Sequence, residues 1–151
     1  SLSDRVLVLE GGSVRQCAPP LDLYRRPADL FTATFVGSPR LTIWKGVIRD
    51  DRFVANGVEV GLRGGLLEAG DAWLGVRPED VAVATEASQG GHEARVEQVE
   101  PTGERVLLTL AVGGEKLRAF AAARDWPERV YVRLDPEQLH MFDSESGCRL
   151  P

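Results

Sequence analysis

The sequence predicts a mainly β protein: a small Greek-key or OB-like barrel preceded by a β-hairpin and two short helices. Three observations carry this. From Leu41 onward, short alternating apolar segments recur about every 8–12 residues, a spacing that suits a closed β architecture rather than alternating α/β units. Sixteen glycines and nine prolines are scattered along the chain, where they read as turn punctuation. Two strand–proline–acid–strand corners, centred on Pro78 and Pro136 and about 58 residues apart, suggest two related halves.

The first 39 residues are of a different kind. Residues 5–10 (Arg-Val-Leu-Val-Leu-Glu) form a near-continuous apolar strand, the type covered on both faces. Gly11-Gly12 turns the chain, and residues 13–17 return as a second strand. Pro19-Pro20 stops it and starts a short helix carrying Leu21 and Tyr24. Pro27 opens the next helix, whose Phe31 and Phe35 lie four apart with Leu30 and Ala33 on an apolar face. Gly37-Ser38-Pro39 ends it. A hairpin and two helices cannot build a core alone, so residues 1–39 are an incomplete unit and residues 40–151 the barrel.

In the barrel, residues 41–49 form a strand in which Gly46 marks a bulge or bend. Asn56-Gly57 is the strongest hairpin signal, and residues 63–71 are a glycine-rich connection. The corner Gly75-Val76-Arg77-Pro78-Glu79-Asp80-Val81 follows. Arg77 is disfavoured from helix by the next proline, Pro78 suits a first helical position, and Glu79 and Asp80 place negative charge at the positive end of that turn. Residues 93–100 alternate with one phase slip, the mark of a bulge. Val106, Leu108, Leu110 and Val112 share one face of the next strand, and Gly113-Gly114 makes a hairpin. Val130, Val132 and Leu134 lead into the second corner, a last strand at 139–142 and a polar tail.

The chemistry is sparse. Eighteen Lys+Arg against 23 Asp+Glu give a net charge of −5 with no basic block, which argues against nucleic-acid binding. No apolar run approaches the roughly 18–20 residues that a membrane-crossing helix needs. Cys17 and Cys148, near opposite ends, read as free thiols, and His92 and His140 as loop or surface histidines without a triad or ligand set. The glycine-rich stretches lack a phosphate-binding pattern, and Asp50-Asp51 and Glu79-Asp80 are turn carboxylates. Arg77 either holds an anionic ligand or pairs with Glu79 or Asp80 to fix the corner; the structural role is favoured. Trp44 and Trp73 read as packing residues, with Trp126 the most exposed of the three. No catalytic, cofactor-binding or metal residue emerges.

The order of segments resembles a known family. Residues 3–14 resemble the stretch past the switch histidine of ABC-transporter ATPase subunits, and residues 20–28 and 35–39 resemble the exit from the ATPase core. Gly75 to Val81 is similar to the hallmark of the appended transport-associated OB (TOBE) domain, and residues 139–143 and 147–150 resemble its closing segment. Gly37-Ser38-Pro39 favours the sugar/maltose-type importers, a group that includes glycerol-phosphate uptake; Thr42-Ile43 departs from the asparagine–apolar pair often found there. The resemblance implies a C-terminal remnant of a nucleotide-binding domain over 1–39 and a TOBE regulatory domain over 40–151. Gly75, Arg77, Pro78, Glu79 and Asp80 would be its structural hallmark. The phosphate-binding loop, signature motif, metal-site acid and switch histidine would precede Ser1, so the expected chain is no enzyme and holds no cofactor, although its parent would use ATP and Mg. Implied partners are a second copy of itself, the ATPase core, the permease subunits and a regulatory protein or small ligand, at the cytoplasmic face of the membrane. The alternative is a stand-alone OB-like module binding a small ligand or oxyanion.

Overall fold

The computed structural model describes residues 5–65 and 67–151. Ser3 and Asp4 of the resembling N-terminal stretch, and Leu66 of the glycine-rich connection, lie outside the described residues. The first unit comprises β1 (Val6–Glu10), β2 (Ser13–Ala18), α1 (Pro20–Arg25) and α2 (Leu30–Phe35). Ten strands follow: β3 (Thr42–Arg49), β4 (Arg52–Ala55), β5 (Val58–Gly61), β6 (Gly70–Val76), β7 (Val81–Ala84), β8 (His92–Pro101), β9 (Arg105–Val112), β10 (Glu115–Ala122), β11 (Arg129–Leu134) and β12 (His140–Asp143).

These ten strands form two antiparallel five-stranded sheets with orders β12-β6-β3-β4-β5 and β7-β11-β8-β9-β10. Advancing β3 to β6 by five positions converts the run β6-β3-β4-β5 of one sheet into β11-β8-β9-β10 of the other, and β7 likewise corresponds to β12, so the chain contains the same five-strand unit twice. The last strand of each unit is exchanged: β7 pairs with β11, and β12 pairs with β6. The two corners make the exchange. Each is one 3₁₀ turn, Pro78–Asp80 and Pro136–Gln138, that carries the chain from one sheet to the other. The second is capped by the Asp135 carboxylate, which accepts from the Glu137 amide at 3.0 Å.

The core lies between the sheets, with Phe53, Leu74, Leu108, Leu110, Leu117 and Val130 fully buried. Trp44 is buried as well, and its indole N–H donates to the Lys116 carbonyl at 2.7 Å, linking β3 to β10. That bond satisfies the one polar atom of the ring, as a buried tryptophan requires. Asn56 and Gly57 carry φ of 40° and 83°, the left-handed pair of a two-residue hairpin. The phase slip in β8 is a register shift against β9 between Val96 and Gln98.

Several expectations are corrected. Gly46 is not a bulge: β3 runs in unbroken register with β6, and the glycine admits the neighbouring strand, since a Cβ there would lie 2.3 Å from the Val54 carbonyl oxygen. β1 is not covered on both faces; Val8 is buried while Val6, Leu7 and Leu9 are exposed. In α1, which carries Leu21 and Tyr24 as expected, Leu23 is buried and Leu21 is exposed. α2 starts at Leu30 rather than Pro27, because the Asp29 carboxylate accepts from the Thr32 amide at 2.8 Å and caps it. Trp126 is half-buried against the core, its indole donating to the Ala122 carbonyl. The C-terminal tail is a strap rather than a loose end, stitched to the α1–α2 connection by Leu30 N–H to Gly147 and Arg149 N–H to Ala28.

Candidate functional site

The site grows from the backbone rule at the first corner. Because Pro78 follows, Arg77 is extended (φ −78°, ψ 144°) where β6 ends, and its side chain is directed inward, leaving the residue 1 % exposed. The guanidinium donates from Nη1 to the Val36 carbonyl at 2.9 Å and from Nη2 to the Tyr24 carbonyl at 3.2 Å, with a weaker contact to Ala33. Its carbon sits 4.1 Å from the centre of the Tyr24 ring. One arginine of the barrel thereby gathers the C-terminal ends of both helices, where carbonyls lack helical partners.

Gly37 makes room for it. At φ +98° it occupies a conformation that suits glycine, and a Cβ there would lie 2.9 Å from Arg77 Nη1 and 3.1 Å from the Tyr24 ring. Gly75 is equally confined, since a Cβ would lie 2.6 Å from Leu41 Cδ1. Leu41 belongs to a small second core with Ala33 and Phe142, which seats α2 on the barrel.

The expected pairing of Arg77 with Glu79 or Asp80 is not made; no carboxylate lies within ion-pair distance of Arg77 among the described residues. The carbonyls take its hydrogen bonds instead. Burial lowers its pKa, opposed by the nearby Asp80. Burial raises the pKa of Asp80, with Glu79 adding and Arg77 opposing. Pro78 is buried and Glu79 exposed. Arg133 in the second corner behaves differently: it is exposed and donates to Ser88 and Gln89.

His140 is not a surface histidine. It opens β12 across from Gly75, is buried, and its Nδ1 lies 3.1 Å from Arg149 Nη1. Since guanidinium only donates, this Nδ1 accepts, which requires a neutral ring. Burial, then the charges of Arg149, Arg77 and Arg26, push its pKa down to about 4. Arg149 also donates to the Pro27 carbonyl at 3.2 Å. A cleft of about 580 Å³ opens here, lined by Tyr24, Arg25, Arg26, Arg77, His140 and Arg149 together with Glu79, Asp80 and Glu137. His92 begins β8, half-buried and far along the chain from this cluster, while Cys17 and Cys148 are free and exposed.

Sequence reasoning singled out the corner and missed its partners. Tyr24, Gly37 and Arg149 each lie in segments with recognisable grammar, yet no local pattern pairs Arg77 with a carbonyl 53 residues earlier.

Residues 74–142, which include the corner, both sheet crossings and most of β12, match the model of the TOBE domain. The chain carries a TOBE domain. The chain as a whole also matches the C-terminal parts of import ATP-binding proteins. It is 35 % identical over 99 % of its length to a xylose/arabinose import ATP-binding protein of Haloferax volcanii, covering 42 % of that protein. It is 35 % and 33 % identical to the sn-glycerol-3-phosphate import ATP-binding proteins of Pectobacterium atrosepticum and Escherichia coli, again over 99 % of its length and 44 % of theirs. The chain thus spans less than half the length of these relatives. Among solved structures, the cytoplasmic molybdate-binding protein ModG superposes with a TM-score of 0.54 over 70 % of this chain and 96 % of that one, at 10 % identity. This likeness supports the OB-type fold around the TOBE domain. No helix among the described residues is long and apolar enough to cross a membrane.

Proposed function

We propose that this chain is the C-terminal regulatory and dimerisation portion of the ATP-binding subunit of an ABC importer for sugars or glycerol-phosphate. The observation that carries the reading is the match of the chain, from end to end, to less than half of several import ATP-binding proteins. Residues 1–39 then close the nucleotide-binding domain and residues 40–151 form the regulatory barrel. The hairpin supports this division: Val6, Leu7, Leu9 and Val14 are exposed, an apolar surface of the kind that a further domain covers. The parent protein couples ATP hydrolysis, with Mg, to uptake through permease subunits, at the cytoplasmic face of the membrane. The chain itself holds no nucleotide chemistry, and Gly75, Arg77, Pro78, Glu79 and Asp80 serve the fold.

Titration of the chain with ATP and Mg is expected to give neither saturable binding nor turnover; a low-micromolar site with hydrolysis overturns the reading. The natural reading frame offers a second check. A phosphate-binding loop, signature motif and switch histidine are expected upstream of Ser1, and an unrelated upstream domain defeats the assignment. The alternative of a stand-alone oxyanion-binding barrel keeps one support, a fold shared with a molybdate-binding protein at 10 % identity.

A further inference from the structure

The two five-strand units differ where their first strands begin. Pro78 and Pro136 hold the same place in the two corners, so Leu74 of β6 corresponds to Val132 of β11. Trp44 pairs with Leu74 and His92 with Val132, which makes His92 the counterpart of Trp44 in the second unit. Counted back from there, Gly90 is the counterpart of Thr42. The hairpins keep step as well. Asn56-Gly57 matches Gly113-Gly114, so Glu59 and Gly61 of β5 correspond to Lys116 and Arg118 of β10.

At β10 the edge is sealed. Trp44 donates through its indole N–H to the Lys116 carbonyl at 2.7 Å, and the Arg118 N–H donates to Thr42 Oγ1 at 3.2 Å. Trp44 fills the space between the strands and is 1 % exposed. At β5 both side chains that would do this are lost or shortened. Gly90 has none, a Cβ there would meet nothing within 4 Å, and His92 is smaller than an indole and half-buried. Alternate residues of an edge strand direct N–H and C=O away from their one neighbour. The Glu59 carbonyl and the Gly61 N–H, equivalents of the sealed pair, therefore face outward without a partner among the described residues.

A cleft of about 420 Å³ occupies this place, between Glu59, Val60 and Gly61 on one side and Gly90, His92 and Leu134 on the other. Val60 and Leu134 are buried and give it an apolar floor. The arginines at its rim are engaged: Arg52 pairs with Glu59 at 3.3 Å, and Arg133 donates to Ser88 and Gln89. What the cleft presents is a vacated ring site with a backbone acceptor at its wall, of a size that suits a small ligand.

We propose that this cleft binds a planar aromatic ring bearing an N–H, of the indole class, seated as Trp44 is seated in the first unit and donating to the Glu59 carbonyl. The site follows from the internal repeat and does not rest on the importer assignment. A free indole-type molecule and a tryptophan side chain carried by a peptide present the same chemistry, and the test separates them.

The 151-residue chain is titrated with indole, 1-methylindole and N-acetyltryptophanamide while the amide resonances of Gly61, Gly90 and Gly91 are followed. Saturable shifts with indole are expected. The methylated ring keeps the shape and lacks the donor, and should bind about tenfold more weakly. N-acetyltryptophanamide binding about tenfold or more tightly than indole identifies a tryptophan side chain, and equal or weaker affinity identifies a free ring. His92→Trp restores the residue of the first unit and should abolish indole binding while raising the melting temperature. His92→Phe fills the same space without a donor and should also block the probe, so occlusion is read even where the larger ring disturbs β8. Absence of saturable indole binding to the original chain, equal affinity for 1-methylindole, or undiminished binding in either folded His92 variant overturns the proposal.

Discussion

The Arg77 guanidinium packs 4.1 Å from the centre of the Tyr24 ring while donating to the Tyr24 carbonyl at 3.2 Å, joining the first barrel corner to the helix that precedes the barrel. The contact is local in space and remote in sequence. It makes the N-terminal helices part of the same folded body as the TOBE domain.

Replacing Arg77 by Met keeps the apolar stem and strands the carbonyls of Tyr24 and Val36, for an expected loss of about 3 kcal/mol. Arg77→Lys should recover little of it, because a single ammonium cannot span both carbonyls and stack on the ring. Urea unfolding of the three proteins measures both losses, and a lysine variant as stable as the original would contradict the fork geometry.

Gly37→Ala adds a Cβ in a left-handed conformation, 2.9 Å from Arg77 Nη1. A destabilisation of about 1–3 kcal/mol is expected. In the Arg77→Met background the contact with Nη1 is relieved while the Tyr24 contact and the backbone cost persist, so the two destabilisations should be less than additive in a double-mutant cycle.

His140 links stability to pH. Its ordinary value of 6.5 applies to the unfolded chain, and the folded value is about 4, so the unfolded chain binds more protons between them. The stabilisation from a neutral His140 is therefore whole above pH 6.5 and declines as pH falls toward 4, by at most ~3 kcal/mol. Asp143, whose pKa is lowered by hydrogen bonds from Ser146, loses its contribution only as pH falls below the ordinary carboxylate range. Asp80, raised chiefly by burial, works in the opposite sense, its contribution falling as pH rises through its folded value. His140→Gln isolates the histidine: unfolding midpoints between pH 4 and 7 should flatten in the variant relative to the original.

Leu7 in β1, at 53 % exposure, and Phe35 at the end of α2, at 68 %, are exposed apolar side chains of the N-terminal unit, with Phe35 stacked on Phe31 at 5.9 Å. The isolated chain is expected to self-associate through these exposed apolar side chains. Leu7→Ser with Phe35→Ser should abolish concentration-dependent sedimentation while leaving the melting temperature nearly unchanged, since neither side chain is buried.

The elements themselves were legible because their causes are local. Asn56-Gly57 and Gly113-Gly114 dictate turns wherever they stand, and Pro78 and Pro136 force the chain out of a strand and into a single 3₁₀ turn. Alternation at Val106, Leu108 and Leu110 selects one face of β9 for the core. The errors were also informative. β1 reads as doubly covered because its residues are apolar, yet sequence pattern records what a strand can bury, not what is present to bury it. His140 reads as ordinary because burial depends on the strap laid beside β12 by the tail.

The sequence by itself determined the strands, the hairpins, the two corners and their repetition, since backbone sterics and side-chain alternation act over a few residues. Only the tertiary structure decided that the two units exchange their last strands, that Arg77 is held by helix carbonyls rather than by Glu79 or Asp80, and that Arg26, Arg77 and Arg149 meet around one cleft. Those outcomes depend on which distant groups share a space once the core has closed, and hydrogen bonding and burial act there on neighbours that no local pattern can name.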